Sequence, residues 1–199
     1  MSKKLLLLID CQNDFITGFI ANDNAETVVS KIIKKIDKHD GEIVAIHDTH
    51  FNKIQVESTW PPESGKPYED TLEHKSLPLH CLKLEEGWEI EKSIRDACHK
   101  KNGNGPTKFF CCDKYTYGKI DLPNYLKAFD FDEIEICGFN ALSSVIANAS
   151  ILRAAYPDMK IVVDCDCITD YYANDKCVAI NCLRAQQIEL VNADFTSCV

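Results

Sequence analysis

The chain has no block rich in lysine and arginine beyond pairs such as Lys100-Lys101, and its formal charge is −9. A surface that repels phosphate argues against a nucleic-acid partner. No apolar run approaches the length needed to cross a bilayer, so no membrane partner is expected. The apolar run at residues 5–9 is too short for a signal-peptide core and is ended by Asp10, which predicts a cytoplasmic protein. Internal repeats, low-complexity segments and domain linkers are missing too. With 199 residues, the expectation is one domain over 1–199 with its own core. There is no Cys-x-x-Cys pair, so a zinc ribbon or a thioredoxin-type motif has no support.

Cysteine itself is abundant, at an odd count of 11. A secreted chain would be expected to carry an even, disulfide-paired set. Cys111, Cys112, Cys137 and Cys165 fall inside predicted strands, so buried free thiols acting as small hydrophobes are expected. Cys165-Asp166-Cys167 carries donors for a soft metal, but packing at a strand end is the preferred reading.

Residues 4–9 (KLLLLI) form a continuous apolar run that predicts a strand buried on both faces. Val28, Val29, Ile32, Ile33 and Ile36 recur at helical spacing and predict a helix over 24–39, with Asn24 as its cap. Residues 42–47 read as a second strand. Residues 51–79 form a long, polar, proline-marked loop of a kind that is usually functional. Further strands are predicted at 108–112, 134–137, 160–164 and 187–191, with helices at 88–99, 121–129, from about Ser144 to Ala155, and 174–185. This alternation predicts an α/β fold: three α/β/α layers around a six-stranded, parallel, doubly wound sheet.

In such sheets ligands bind beyond the carboxyl ends of the strands. The side chains predicted there are Asp10, Asp48 with His50, Asp113 with Lys114, the turn 138–144, and Asp164 with Asp166. A strand broken by Gly138 and followed by a helix aims backbone N–H groups and the positive helix end at one point. Ser144, with Ser143 before it, either places a hydroxyl over that point or simply caps the helix. Asp48 and His50 share a face in extended chain. Together with His80 they would suit Zn²⁺ or another divalent metal. The alternative is a strand-end aspartate, a solvated His50 and an unrelated loop His80. Asp10, Lys114 and Ser144 come from separate strand ends. A carboxylate beside a lysine keeps the ammonium charged and can take a proton from a nucleophile that the lysine's field acidifies. Read singly, Asp10 is equally a turn-forming carboxylate and Lys114 a surface lysine.

Several segments together carry a family likeness: LIDCQNDF at 8–15, HDTHF at 47–51, LPLHC at 77–81 followed by EGWE at 86–89, KYTYG at 114–118 followed by DLP at 121–123, and GFNALSSV at 138–145. They resemble the isochorismatase-like cysteine hydrolases, most closely the nicotinamidase branch, over nearly the whole chain. The resemblance implies Asp10 as general base and then acid, Lys114 as its charged partner, and Phe15 as a wall for the substrate ring. It implies Asp48, His50 and His80 as metal ligands, with Glu73 as a further one. It implies an oxyanion hole from the N–H groups of Asn140 and Ser144, with a cis peptide at Phe139–Asn140. The implied reaction is hydrolysis of a small amide, most closely nicotinamide to nicotinate and ammonia, as in pyridine nucleotide salvage. The resemblance also implies a homo-oligomer.

The main departure is at the nucleophile, where the family has cysteine and this chain has Ser144. Cys137 and Cys11 lie nearby in sequence, but strand alternation points neither where Ser144 points. An enzyme impaired by serine is therefore expected. The alternatives are an inactive ligand-binding relative, or a vinyl-ether hydrolase that uses Asp10 without a nucleophile.

Overall fold

The computed structural model describes residues 3–51, 72–104 and 107–193, with the side chains of residues 73, 74 and 104 outside that description. Six strands form one sheet: β1 Lys4–Ile9, β2 Glu42–Asp48, β3 Phe109–Lys114, β4 Glu133–Gly138, β5 Lys160–Ile168 and β6 Glu189–Val191. Their order across it is β3-β2-β1-β4-β5-β6, and every pairing is parallel. Parallel neighbours need crossovers, and the helices that provide them cover both faces. One face carries α1 Asn13–Ile16, α2 Ala25–Lys38 and α4 Lys92–Asn104. The other carries α5 Leu122–Leu126, α6 Ile146–Ala155 and α7 Ala173–Ala185. A short α3, Leu72–Ser76, precedes the segment that carries His80.

The double cover explains why β1 is apolar throughout. Leu5, Leu7 and Ile9 join the core under α5–α7, while Leu6 and Leu8 join the core under α1, α2 and α4. Each β1 leucine and Ile9 is 0 % exposed. The chain winds outward from β1 through β2 to β3, then returns to place β4 on the other side of β1. Connections on the two sides diverge above that junction, which opens a crevice at the carboxyl ends of β1 and β4.

Gly138 closes β4 opposite Ile9 with φ +141°. A Cβ there would lie 2.0 Å from the Ile9 carbonyl oxygen, so only glycine lets the two central strands stay in register at that end.

Several boundaries differ from expectation. α4 begins at Lys92, because the Glu91 carboxylate accepts the N–H groups of Ser93 (2.9 Å) and Ile94 (3.0 Å); residues 86–88 form a separate 3₁₀ turn. Asn24 does precede α2, but in a left-handed conformation and without a side-chain cap bond. β5 runs on to Ile168 through a shift in its pairing with β4, from Ile136↔Val163 to Gly138↔Ile168. That shift sends Cys165 into one core and Cys167 into the other, so the two cannot share a metal.

Cys111 is exposed rather than buried, because β3 is an edge strand. Cys177 is disulfide-bonded, contrary to the expectation of free thiols, while the other described cysteines are free. Among the described residues no helix is long and apolar enough to cross a membrane.

Candidate active site

Asp10, Asp48 and Lys114 follow from three adjacent strand ends. Lys114 is the last residue of β3 and pairs in register with Asp48, the last of β2; Asp10 is the first residue past β1. All three are at most 2 % exposed. The Lys114 ammonium lies 3.1 Å from Asp10 Oδ2 and 3.0 Å from Asp48 Oδ1, so one buried cation faces two carboxylates.

Two anions around one cation cannot be equally satisfied, and their surroundings separate them. Burial is the largest influence on Asp10 and pushes its pKa up to about 6; the nearby Asp48 charge adds to this, while Lys114 and the Ser144 hydroxyl oppose it. Neither Asp10 oxygen closes an aligned hydrogen bond among the described residues. Burial also disfavours the Asp48 anion, but Lys114 and the two facing imidazoles outweigh it and hold Asp48 well below the usual carboxylate range. Asp48 is thus the fixed charge and Asp10 the group able to exchange a proton near neutrality.

His50 and His80 each place Nε2 3.1 Å from Asp48 Oδ2. The ligand-type atoms of Asp48, His50 and His80 all lie within 4.8 Å of one another, and the three residues are buried. His80 Nδ1 is 2.7 Å from the Pro78 carbonyl oxygen, which fixes that nitrogen as the donor. In the neutral ring Nε2 is then an acceptor facing a carboxylate oxygen, an arrangement that needs a proton or a cation between them. Burial lowers the His80 pKa, but the Asp48 contact raises it by more, the response of an imidazole to an anion when no cation intervenes. The donor set fits a divalent metal of the zinc type. The side chain of Glu73, the further ligand implied by resemblance, lies outside the described residues.

Ser144 sits 2 % exposed in a wide π-type turn, Ala141–Val145, that precedes α6. It is therefore neither the first helical residue nor an N-cap. Among the described residues no peptide is cis, so the expected cis bond at Phe139–Asn140 is not formed. The chain instead reverses at Asn140, which takes left-handed angles (φ 59°, ψ 65°) that asparagine tolerates better than most residues. Asn22 Nδ2 donates to Asn140 Oδ1 at 3.0 Å and pins that conformation. Asp10 is also left-handed (φ 52°), so both chain reversals beside the crevice are backbone-strained. Cys11 and Cys137 pack in the core under α1, α2 and α4, where burial pushes their thiols well above the ordinary range.

A cavity of about 220 Å³ opens over Asp48, His80 and Ser144. Phe15, Leu77, Tyr117, Leu142 and Tyr171 supply apolar walls; Asp48, His80, Asn140, Ser143, Ser144 and Asp170 supply polar ones. The Phe15 ring stands edge-on to His80, with centroids 5.8 Å apart. A larger groove of about 600 Å³ lies beside α2, β4 and β5, but Lys35 there is spent on Glu135 (2.5 Å) and Asp164 (2.6 Å), and none of the convergent groups lines it. Asp164 and Asp166, expected at the crevice, belong to that groove, and Asp113 pairs with Lys83 at 2.6 Å.

Residues not singled out by sequence reasoning hold the site in shape. Gln12, 0 % exposed, donates to the carbonyls of Asp48 (2.8 Å) and Trp88 (2.9 Å) and accepts the Asp48 N–H (2.7 Å), acting like an extra strand at the end of β2. Asn148 donates to the Ser144 carbonyl at 2.8 Å, satisfying an acceptor of the wide turn, and accepts the Lys119 N–H at 3.0 Å. Asp170 accepts the N–H groups of Leu142 (2.7 Å) and Tyr171 (2.8 Å). The rule that strand ends carry function would have found Asp170 had β5 been read to its true end.

Residues 4–194 match the family model described as an isochorismatase domain. No curated protein sequence matches the chain. Solved structures similar in fold include the nicotinamidase of Bacillus subtilis (16 % identity, TM-score 0.75, covering 96 % of this chain and 99 % of that one). The pyrazinamidase of Pyrococcus horikoshii in complex with zinc is 18 % identical, with TM-score 0.70 and coverage of 96 % and 99 %. The yeast nicotinamidase bound to the inhibitor nicotinaldehyde is 21 % identical, with TM-score 0.71 and coverage of 96 % and 100 %.

Proposed function

Because the chain belongs to the isochorismatase family, we propose that it is a metal-containing hydrolase of a small, flat carboxamide, with nicotinamide the first substrate to test. The observation that carries this reading is the convergence of Asp10, Lys114 and Ser144 on one another, with Ser144 and the Asp48–His80 pair in the wall of a cavity of about 220 Å³. The fold's likeness to two nicotinamidases and a pyrazinamidase supports the choice of amide.

The chemistry follows from the charge arrangement. Ser144 Oγ attacks the amide carbon as Asp10 accepts its proton, and the Lys114 ammonium stabilises the oxygen charge that develops. The backbone N–H groups of Asn140 and Ser144 serve as donors to the oxyanion. Asp10 then returns the proton to the departing nitrogen, releasing ammonia and leaving an ester on Ser144. Water, deprotonated by Asp10, cleaves that ester to the carboxylic acid and restores the hydroxyl. Phe15 stacks against the substrate ring. Asp48, His50 and His80 would hold Zn²⁺ or another divalent ion, with Glu73 as a further candidate ligand. When bound, such an ion supplies a Lewis acid that anchors a ring nitrogen or a water.

Serine at position 144 favours a second reading, an inactive relative that binds the same ligand, because Asp10 is a weak base for an alcohol. The test is ammonia release from nicotinamide and a panel of small amides by the chain as written and by Ser144→Cys. The hydrolase reading expects the cysteine form to be faster by orders of magnitude. Equal, absent turnover in both forms, with nicotinamide still bound, would leave the binding protein.

A further inference from the structure

One side chain in the cavity wall is held by its oxygen and left open at its nitrogen. Asn140 is 5 % exposed and lines the cavity together with Ser144. Both belong to one wide turn, which the Asn140 carbonyl closes by accepting the N–H groups of Ser143 (3.1 Å) and Val145 (3.2 Å).

The hydrogen bonds decide which way the Asn140 amide faces. Asn22 lies behind it, buried and outside the cavity wall. The Phe15 carbonyl can only accept. It takes the Asn22 backbone N–H at 2.9 Å and lies 3.3 Å from one end of the Asn22 side-chain amide. The Asn22 atom facing it must therefore be the nitrogen. That same nitrogen donates to Asn140 at 3.0 Å, so the Asn140 atom it meets must be the oxygen. The Asn140 NH2 group is then turned the other way. It bonds to nothing among the described residues. Nor is it one of the unpartnered atoms sealed inside the protein, as Asn22 Oδ1 and the Tyr171 hydroxyl are. It is a donor open to the cavity that Asn140 lines, with its direction fixed from behind.

The rest of the wall defines what this donor suits. Asp170 accepts two backbone N–H groups, and His80 has both ring nitrogens engaged. The carboxylates of Asp48 and Asp170 stand in the same wall and disfavour an anion there. The complement of the Asn140 NH2 is thus a neutral acceptor. A small, flat carboxamide has one such group outside its ring, the carbonyl oxygen; its nitrogen is itself a donor.

We propose that the Asn140 side-chain amide is a specificity-determining donor to the carbonyl oxygen of the carboxamide, aimed by Asn22 and the Phe15 carbonyl. This rests on the carboxamide reading above and adds a side-chain donor to the backbone N–H groups named there. It sets a rule: a ligand with the same ring and no carbonyl gains nothing from Asn140.

The experiment reverses the donor. Asn140→Asp keeps a residue that tolerates left-handed angles and keeps an oxygen for Asn22, but presents an acceptor to the cavity. Two neutral probes are used: nicotinamide, and 3-ethylpyridine, which has the ring without the carbonyl. Affinities are measured by NMR titration of the parent and the variant. Nicotinamide should bind the variant at least about ten-fold more weakly, with 3-ethylpyridine unchanged. Equal losses for both probes, or no loss for nicotinamide, would overturn the assignment. A second measurement needs no variant. In isotope-labelled parent protein, the Asn140 side-chain NH2 signals should lie further downfield with nicotinamide than with 3-ethylpyridine, the direction of a new hydrogen bond. Backbone signals that respond to nicotinamide while the Asn140 NH2 signals match in the two complexes sink the asparagine role and leave the carboxamide reading standing. If neither nicotinamide nor benzamide moves any signal of the parent or of Ser144→Cys, the carboxamide reading falls and the asparagine role with it.

Discussion

Lys114→Met and Asp10→Asn remove opposite partners of one 3.1 Å ion pair, yet they are expected to move stability in opposite directions. Lys114 is the single cation between two carboxylates, at 3.1 and 3.0 Å, and all three groups are at most 2 % exposed. Removing it leaves the Asp10 carboxylate without a cation and Asp48 with its two imidazoles alone, which costs about 3–5 kcal/mol. Asp10 is the surplus anion. Its folded pKa of about 6 lies above the ordinary aspartate value of 3.8. The sign follows: the folded state holds the Asp10 proton more tightly than the unfolded chain does. That contribution to stability is complete below pH 3.8 and is lost as pH rises through about 6. The loss is roughly 3 kcal/mol at most. Asparagine, nearly the same shape and uncharged, escapes it, so Asp10→Asn should gain on the parent by about 1–3 kcal/mol at pH 7.5 and by nearly nothing at pH 4. Urea unfolding of metal-stripped protein at both pH values, with m unchanged between variants, measures this. An Asp10→Asn protein that is less stable than the parent at pH 7.5 would refute the charge assignment, as would a Lys114→Met protein within about 1 kcal/mol of the parent.

Three other outcomes follow from the same structure. Zinc should bind the parent and raise its Tm, chelator should reverse the shift, and His80→Ala should abolish it; inductively coupled plasma analysis gives the stoichiometry, and Glu73→Gln tests the additional ligand. Gly138→Ala should fail to accumulate as folded protein, since its Cβ would sit 2.0 Å from the Ile9 carbonyl oxygen at φ +141°; near-parent Tm in that variant would contradict the strand register. Iodoacetamide on the native protein should label Cys111 first and leave Cys11, Cys81 and Cys137 untouched until unfolding, read by peptide mass spectrometry.

What was legible in the sequence was whatever periodicity and chain order dictate. A strand buried on both faces must be apolar at every position, and β1 and β2 read that way; α2 showed its stripe because one face packs and the other meets water. Asp10, Asp48, His50, Lys114 and Ser144 stood out as residues at strand ends, and His80 as a loop imidazole able to join Asp48 and His50; the structure places all six side chains in one cluster. The misses have a common cause: they depend on contacts between distant segments. Gln12, Asn22 and Asn148 look like loop and helix polars in one dimension, yet each bridges to a backbone or side chain at least 31 residues away. The extension of β5 past Asp164 was hidden by its acidic residues, which are tolerated because Lys35 and Lys31 meet them. The trans turn at Asn140 was missed because the expectation came by resemblance from a family with a different sequence just before the nucleophile.

The identity of the atom at position 144 then decides what this arrangement can do. A thiol with a reference pKa of about 8.5 lies only a little above Asp10 at about 6, a gap of roughly 3 kcal/mol that the Lys114 ammonium narrows further. A free thiolate is thus within reach as a discrete species. An alcohol is far weaker as an acid, so Ser144 can act only if its proton passes to Asp10 while the carbon–oxygen bond forms. That concerted path requires the donors to the carbonyl oxygen to be in place at the instant of attack, because no stored thiolate carries the charge beforehand. Loss of a carbonyl donor should therefore cost the serine form more in kcat than the cysteine form, whereas loss of ring packing at Phe15 should raise KM in both alike. Measuring Phe15→Leu with the amide, and the corresponding thioamide, a weaker acceptor, with Phe15 intact, in each background separates the two effects. Identical kcat losses across the two backgrounds would mean that the nucleophile's charge state has no part in setting the rate.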